Sequence, residues 1–296
     1  MPRVEHPPSI SGRQHDLGGG MLVRRLLPSA QRSAVGPFVF MDHFGPSPVG
    51  PDAAQDVRPH PHIGLGTLTY LFDGAILHRD SLGTVQLIEP GAINWMRAGR
   101  GVVHSERRPP DLPGQWTQHG LQFWLALPLS LEASEPAFEH TPAAQVPLLE
   151  LDGAQVRLLL GAAWGHQAGV ATGVDAVCLD ICLPADQTIK IPALAPELAV
   201  YAAVGSPSVD GTDLPSGHLQ VLAAGCGASL QAGREPVRCV VVGGAALDAP
   251  RYLWWNFVSS HRERIVRAAD DWEAGRMPVI PGDRERIPLP PRRFKR

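Results

Sequence analysis

The chain has 296 residues, 44% apolar and 19% charged, with a formal net charge of -3. This composition excludes a disordered or fibrous chain, leaves no basic excess for a nucleic-acid surface, and suits one large β unit or two smaller ones. Met1 to Pro8 lacks the apolar run of a signal peptide and no stretch reaches the roughly 20 apolar residues of a membrane span, so a cytoplasmic protein is expected.

Thirty-one glycines and thirty prolines punctuate short runs rich in Val, Ile, Leu, Thr and aromatics, the pattern of an all-β chain. Ile63 to Phe72 reads as a strand turned by Asp73-Gly74. Leu82-Gly83 and Pro90-Gly91 turn again, Ala92 to Arg97 resumes, and Val102 to Glu106 and Leu121 to Leu127 follow. The apolar rhythm fades between Leu131 and Pro147. It returns at Val156 to Leu160, Ala176 to Leu183, Thr188 to Ile191, Leu198 to Val204, His218 to Leu222 and Val237 to Val242. Turns about every 8 to 10 residues predict sandwiches or barrels rather than βαβ units. The expected organisation is an N-terminal barrel over residues 1–132, a linker over 133–147, a second barrel over 148–258, and a helix with a tail over 259–296.

Near the end, Ser260 followed by Glu263 has the form of a capping box, Ile265, Ala268 and Trp272 recur at helical spacing, and Gly275 marks a stop. This helix is expected to brace a barrel, and the four basic side chains after Pro291 to form a solvated tail. Cys178, Cys182, Cys226 and Cys239 lie in apolar runs without a CxxC pair and read as reduced core residues.

Strand residues two apart share a face, so His60 and His62 can converge while Pro59 and Pro61 point away; His104 and Glu106 have the same spacing. Proline on both sides of His60 places this strand at a start or an edge. The chain between the two pairs carries three turn signals, enough to bring one pair opposite the other. Three imidazoles and a carboxylate suit Fe(II), Mn(II), Ni(II), Cu(II) or Zn(II) better than Ca(II) or Mg(II), and leave positions free on an octahedral ion. The other nine histidines show no such pairing, and with His166 and His218 isolated the second barrel is expected to be metal-free.

Arg58-Pro59-His60-Pro61-His62-Ile63-Gly64, Thr67-Leu68-Thr69-Tyr70-Leu71, Trp95-Met96, Ala98-Gly99-Arg100-Gly101 and His104-Ser105-Glu106 resemble the pirin family of the cupin superfamily. So do Met41-Asp42-His43-Phe44-Gly45-Pro46, Gly120-Leu121-Gln122-Phe123-Trp124 and Glu135-Pro136. The second half resembles the family in length and general pattern. The resemblance implies two cupin-type β-barrel (jelly-roll) domains, with one iron bound by His60, His62, His104 and Glu106. Many members carry a glutamate shortly after the His-x-His pair where this chain has Gly64-Leu65-Gly66-Thr67, a change expected to widen or depolarise the pocket. Members with quercetin 2,3-dioxygenase activity imply a metal-dependent dioxygenase acting with O2 on a flavonol-like substrate, with Fe(II) as cofactor and Glu106 as catalytic base. Other members act as iron- and redox-responsive regulators, implying instead a protein partner such as a transcription factor or a metabolic enzyme. A monomer that contacts neither nucleic acid nor membrane is expected in either case.

Overall fold

The computed structural model describes residues 5–17, 21–50, 56–112 and 114–291, so the basic residues after Pro291 lie outside the described residues. The chain divides into two compact units: Met1–His15, Val23–His43 and Thr141–Ala246 in the first, and Asp16–Leu22, Phe44–His140 and Leu247–Arg296 in the second. Both are built from antiparallel β-sheet, the all-β architecture expected from the pattern of turns. Among the described residues no helix is long and apolar enough to cross a membrane.

In the first unit a large sheet takes Ala154–Leu160, Ala176–Leu183, Val237–Gly244, Glu197–Val204 and His218–Val221 in that spatial order, and a smaller sheet pairs Thr188–Ile191 with Ala228–Gln231. Each large-sheet strand sends alternate residues inward. Val156, Leu179, Val200 and Val241 thus meet Ile189 and Leu230 of the smaller sheet in one apolar core. All four cysteines are free thiols; Cys178 and Cys239 are buried in this unit, whereas Cys182 and Cys226 are only half-buried.

The second unit carries the paired motifs. Its strands are β1 (Phe38–Val49, entering from the first unit and belonging here from Phe44), β2 (Val57–His62), β3 (Leu65–Asp73), β4 (Ile76–Asp80), β5 (Val85–Ile88), β6 (Ile93–Arg97), β7 (Val102–Arg107), β8 (Trp116–Ala126) and β9 (Ala137–Thr141). One sheet has the order β9-β6-β3-β8-β1 and the other β2-β7-β4-β5. The turns read from Asp73-Gly74, Leu82-Gly83 and Pro90-Gly91 are present, each glycine at positive φ (90°, 90° and 77°) where an L side chain would be strained. The stretch 133–147 contains β9 and a short 3-10 turn at Ala143–Gln145.

The edge position expected for the Pro59-Pro61 strand is found: β2 ends its sheet. Proline has no N–H to offer, but its carbonyl still accepts, and Ile287 N donates to Pro59 O at 2.9 Å. Behind β2 and β7, the hairpin β10 (Tyr252–Trp254) to β11 (Phe257–Ser259), helix α1 (Arg262–Glu273) and the residues after it pack as one apolar cluster. Ile63, Val103, Phe257, Ile265, Trp272 and Ile280 form its core.

The start of α1 departs from the expected capping box. His261 is the N-cap and makes no side-chain cap bond. The buried carboxylate of Glu132 stands just before the helix instead: it accepts from Ser259 Oγ (2.5 Å), Ser260 N (3.1 Å) and Arg264 Nη1 (2.7 Å). An acidic group at a helix N-terminus complements the backbone dipole whichever part of the chain supplies it. Gly275 stops the helix as expected, at φ 68°.

Candidate metal centre

β7 lies between β2 and β4, and its register decides which side chains meet. His104 stands directly opposite His60, and Val102 opposite His62. Arg58 and Pro59 together face Ser105, a bulge that shifts the pairing so that Glu106 falls opposite Val57. The three imidazoles close on one another, with ring centroids 4.3 to 5.0 Å apart, and each is at most 6% exposed. Each offers a donor nitrogen within 4.8 Å of the other two; this is the one group of that kind among the described residues.

The far side of each ring determines what the near side can do. His60 Nδ1 donates to the carbonyl of Arg58 (2.9 Å) and His62 Nδ1 to the carbonyl of Asn256 (3.1 Å). A carbonyl only accepts, so both rings carry their proton on Nδ1 and turn a bare Nε2 inward. His62 Nε2 and His104 Nε2 are 3.1 Å apart. An ion about 2.1 Å from each nitrogen would see them at about 95°, close to the right angle between neighbouring ligands of an octahedron. Imidazole nitrogens buried this close around one point can share a cation as their common partner. The donor set therefore fits a divalent transition metal.

Burial also keeps these rings neutral. Loss of water pushes His60 down to about 4, against the pull of its bond to Arg58 O. His62 and His104 are pushed well below the usual range, first by burial and then by the charge of the neighbouring imidazoles. Protonated imidazole cannot ligate a metal, so a cluster that resists protonation is already in its binding form at neutral pH.

Glu106 projects from β7 on the same face as His104, but its carboxylate does not lie within 4.8 Å of all three nitrogens. It is met from β3, where the Thr69 hydroxyl reaches Glu106 Oε1 at 3.2 Å and Gln122 Oε1 at 2.9 Å, sharing one proton between two acceptors. Burial raises the Glu106 pKa, opposed by the electrostatic influence of the His78 ring and the bond from Thr69. Across from the imidazoles, Trp124 of β8 meets the His62 ring edge-on at 5.1 Å.

Two further residues belong to this surface. β4 pairs with β7 so that Asp80 stands opposite His104 and His78 opposite Glu106. Both are buried, and His78 Nδ1 lies 3.4 Å from His104 Nδ1. The reading that no other histidine is paired therefore fails for His78, whose partner is an aspartate two residues on. His78-Arg79-Asp80 has the spacing of His60-Pro61-His62, and that was the available signal.

Gly66 does not open the pocket. Three positions before the inward-facing Thr69 with no bulge between, it lies on the opposite face of β3. A Cβ there would come 2.1 Å from Cη2 of Trp95, so the indole already fills that space. Trp95 and Tyr70 are both buried core residues, at 3% and 0% exposure.

Two family models match this chain: Pirin over residues 20–125 and the Pirin C-terminal cupin domain over 178–278. A pirin-like protein of Caulobacter vibrioides is 42% identical over 95% of this chain and 98% of its own length. A pirin-like protein of Solanum lycopersicum is 33% identical, covering 90% of each. The crystal structure of a quercetin 2,3-dioxygenase from Acinetobacter baumannii superposes with a TM-score of 0.88 at 32% identity, covering 97% of both chains. Motifs, paired cupin-type units and the buried histidine cluster all agree with these matches, and the chain belongs to the pirin family.

Proposed function

We propose that this protein holds one divalent ion, Fe(II), on His60, His62, His104 and Glu106. We propose further that it acts as a dioxygenase of the quercetin 2,3-dioxygenase type on a flavonol or a related enol or phenol. The observation that carries this reading is the convergence of the imidazoles, with His60 and His62 locked by backbone carbonyls into the tautomer that ligates. Likeness over nearly the whole chain to a structure described as a quercetin 2,3-dioxygenase supplies the reaction class.

A divalent ion bound there would acidify the hydroxyl of an enol or phenol and support its reaction with O2. The protein's own part is to accept that proton and keep the site dry. Glu106 is the base in this reading: burial strengthens its hold on a proton, and Thr69 steadies the oxygen that receives it. Trp124 gives the imidazoles an apolar neighbour, which limits the access of water to the reacting group.

Protein reconstituted with Fe(II) under anaerobic conditions, then given quercetin and O2, is expected to consume O2 and release carbon monoxide. His62→Ala should abolish both. Turnover that survives this substitution unchanged would remove the metal-dependent reading.

A further inference from the structure

His104 differs from the other two imidazoles in what lies behind it. Backbone carbonyls hold His60 and His62, whereas His104 Nδ1 meets another imidazole nitrogen, Nδ1 of His78. Behind His78 stands Asp80, with His78 Nε2 and Asp80 Oδ2 3.1 Å apart and both side chains almost fully buried. Phe138 stacks on the His78 ring at 4.4 Å and 22°, which fixes its plane.

The hydrogen bonds in this line can be assigned one by one. Asp80 Oδ1 accepts from the backbone N–H groups of Leu82 (2.9 Å) and Thr84 (3.0 Å), in the tight turn between β4 and β5. Oδ2 is left for His78, and an ionised carboxylate has no proton to give, so His78 Nε2 carries the hydrogen. His78 Nδ1 is then bare and can only accept. A hydrogen bond between the two rings then takes its hydrogen from His104 Nδ1, across a long contact of 3.4 Å. With its proton there, His104 presents a bare Nε2 toward His62 Nε2.

We propose that Asp80 and His78 are positioning residues that set His104 in its metal-ligating tautomer through a carboxylate–imidazole–imidazole line. This rests on the metal reading of the site. It also makes His104 the one imidazole of the three whose proton is placed by side chains, and therefore the one that substitution away from the cluster can mis-set. A carboxylate acting through His78 also raises the electron density at His104 Nε2, which tightens the bond to an ion.

Asp80→Asn tests the line with little change of shape. The amide keeps a carbonyl oxygen for Leu82 and Thr84 but puts an NH2 group where Oδ2 was. That group can only donate to His78 Nε2, so the His78 proton moves to Nδ1, donates toward His104 Nδ1, and sends the His104 proton to Nε2, where it blocks an ion. Titration of the apo protein with Co(II), followed by its visible absorbance and by calorimetry near neutral pH, should give a Kd about 10- to 100-fold weaker for Asp80→Asn than for wild type. Nitrogen-15 spectra of the wild-type Zn(II) protein, which need no variant, should show His78 neutral and protonated on Nε2. A Co(II) Kd for a folded Asp80→Asn within about threefold of wild type overturns the line. So does His78 protonated on Nδ1 in the wild type. If His62→Ala weakens Co(II) binding while Asp80→Asn does not, the line alone is lost and the metal site stands. If wild type takes up neither Co(II) nor Zn(II), both readings fail.

Discussion

Acidifying the metal-free protein should destabilise it through His60 before most carboxylates titrate. Burial holds this imidazole at about 4, against 6.5 in the unfolded chain. Between those values the unfolded state binds a proton that the folded state refuses, so stability falls as pH falls through this window and is regained as pH rises. The two constants give a loss of roughly 2 kcal/mol between about pH 7 and pH 5, approaching roughly 3 kcal/mol near pH 4. His62 and His104 act in the same direction. Glu106 acts in the opposite one, because a carboxyl with a raised pKa is protonated in the folded state first and gains stability toward acid. Urea unfolding in the presence of a chelator, at several pH values, measures the sum, and His60→Gln isolates the one residue. The wild-type profile should slope more steeply than that of the variant by roughly 2 kcal/mol over these two pH units. Parallel profiles would refute the argument that His60 is buried neutral.

Gly66→Ala sets a Cβ against the Trp95 indole, in a core where the ring has nowhere to go, and should cost about 1–3 kcal/mol in urea or thermal unfolding; an unchanged midpoint would mean that Trp95 is not seated there. Trp272→Ala removes a buried ring whose Nε1 donates to Ile287 O at 2.9 Å and over which Arg286 lies at 4.3 Å, so a loss of about 3–5 kcal/mol is expected, and less than about 1 kcal/mol would show that this cluster is loosely packed. Thr69→Val deletes a bond that lowers the Glu106 pKa; the acidic limb of the pH–rate profile for O2 uptake should move to higher pH, and an unmoved limb would take Glu106 out of the base role. Zn(II) at about 100 times its Kd should stabilise the wild type by about 2.7 kcal/mol and His62→Ala by much less, as read from melting temperatures. Equal stabilisation of the two proteins would place the ion elsewhere.

Much of the second unit was legible in the residues themselves. Pro59 and Pro61 marked an edge strand, glycines after Asp73, Leu82 and Pro90 marked the turns, and two-residue spacing put His60 with His62, and His104 with Glu106, each pair on one face of its strand. β4 escaped notice because its buried positions are His78 and Asp80, so apolar alternation, the usual sign of a strand, is missing where the interior face is chemical rather than greasy. β1 escaped because Gly45, Pro46 and Pro48 read as loop.

The side-chain period of a strand is a local property of the backbone, so the sequence alone determined which residues within each strand share a face. Whether two such faces meet is set by cross-strand register, and register depends on packing among residues far apart in the chain. That decided His104 opposite His60, Asp80 opposite His104, and the carbonyl of Asn256, 194 residues away, behind His62. A backbone carbonyl has no letter in a sequence; only the folded chain could bring it to an imidazole and thereby choose which nitrogen faces the metal.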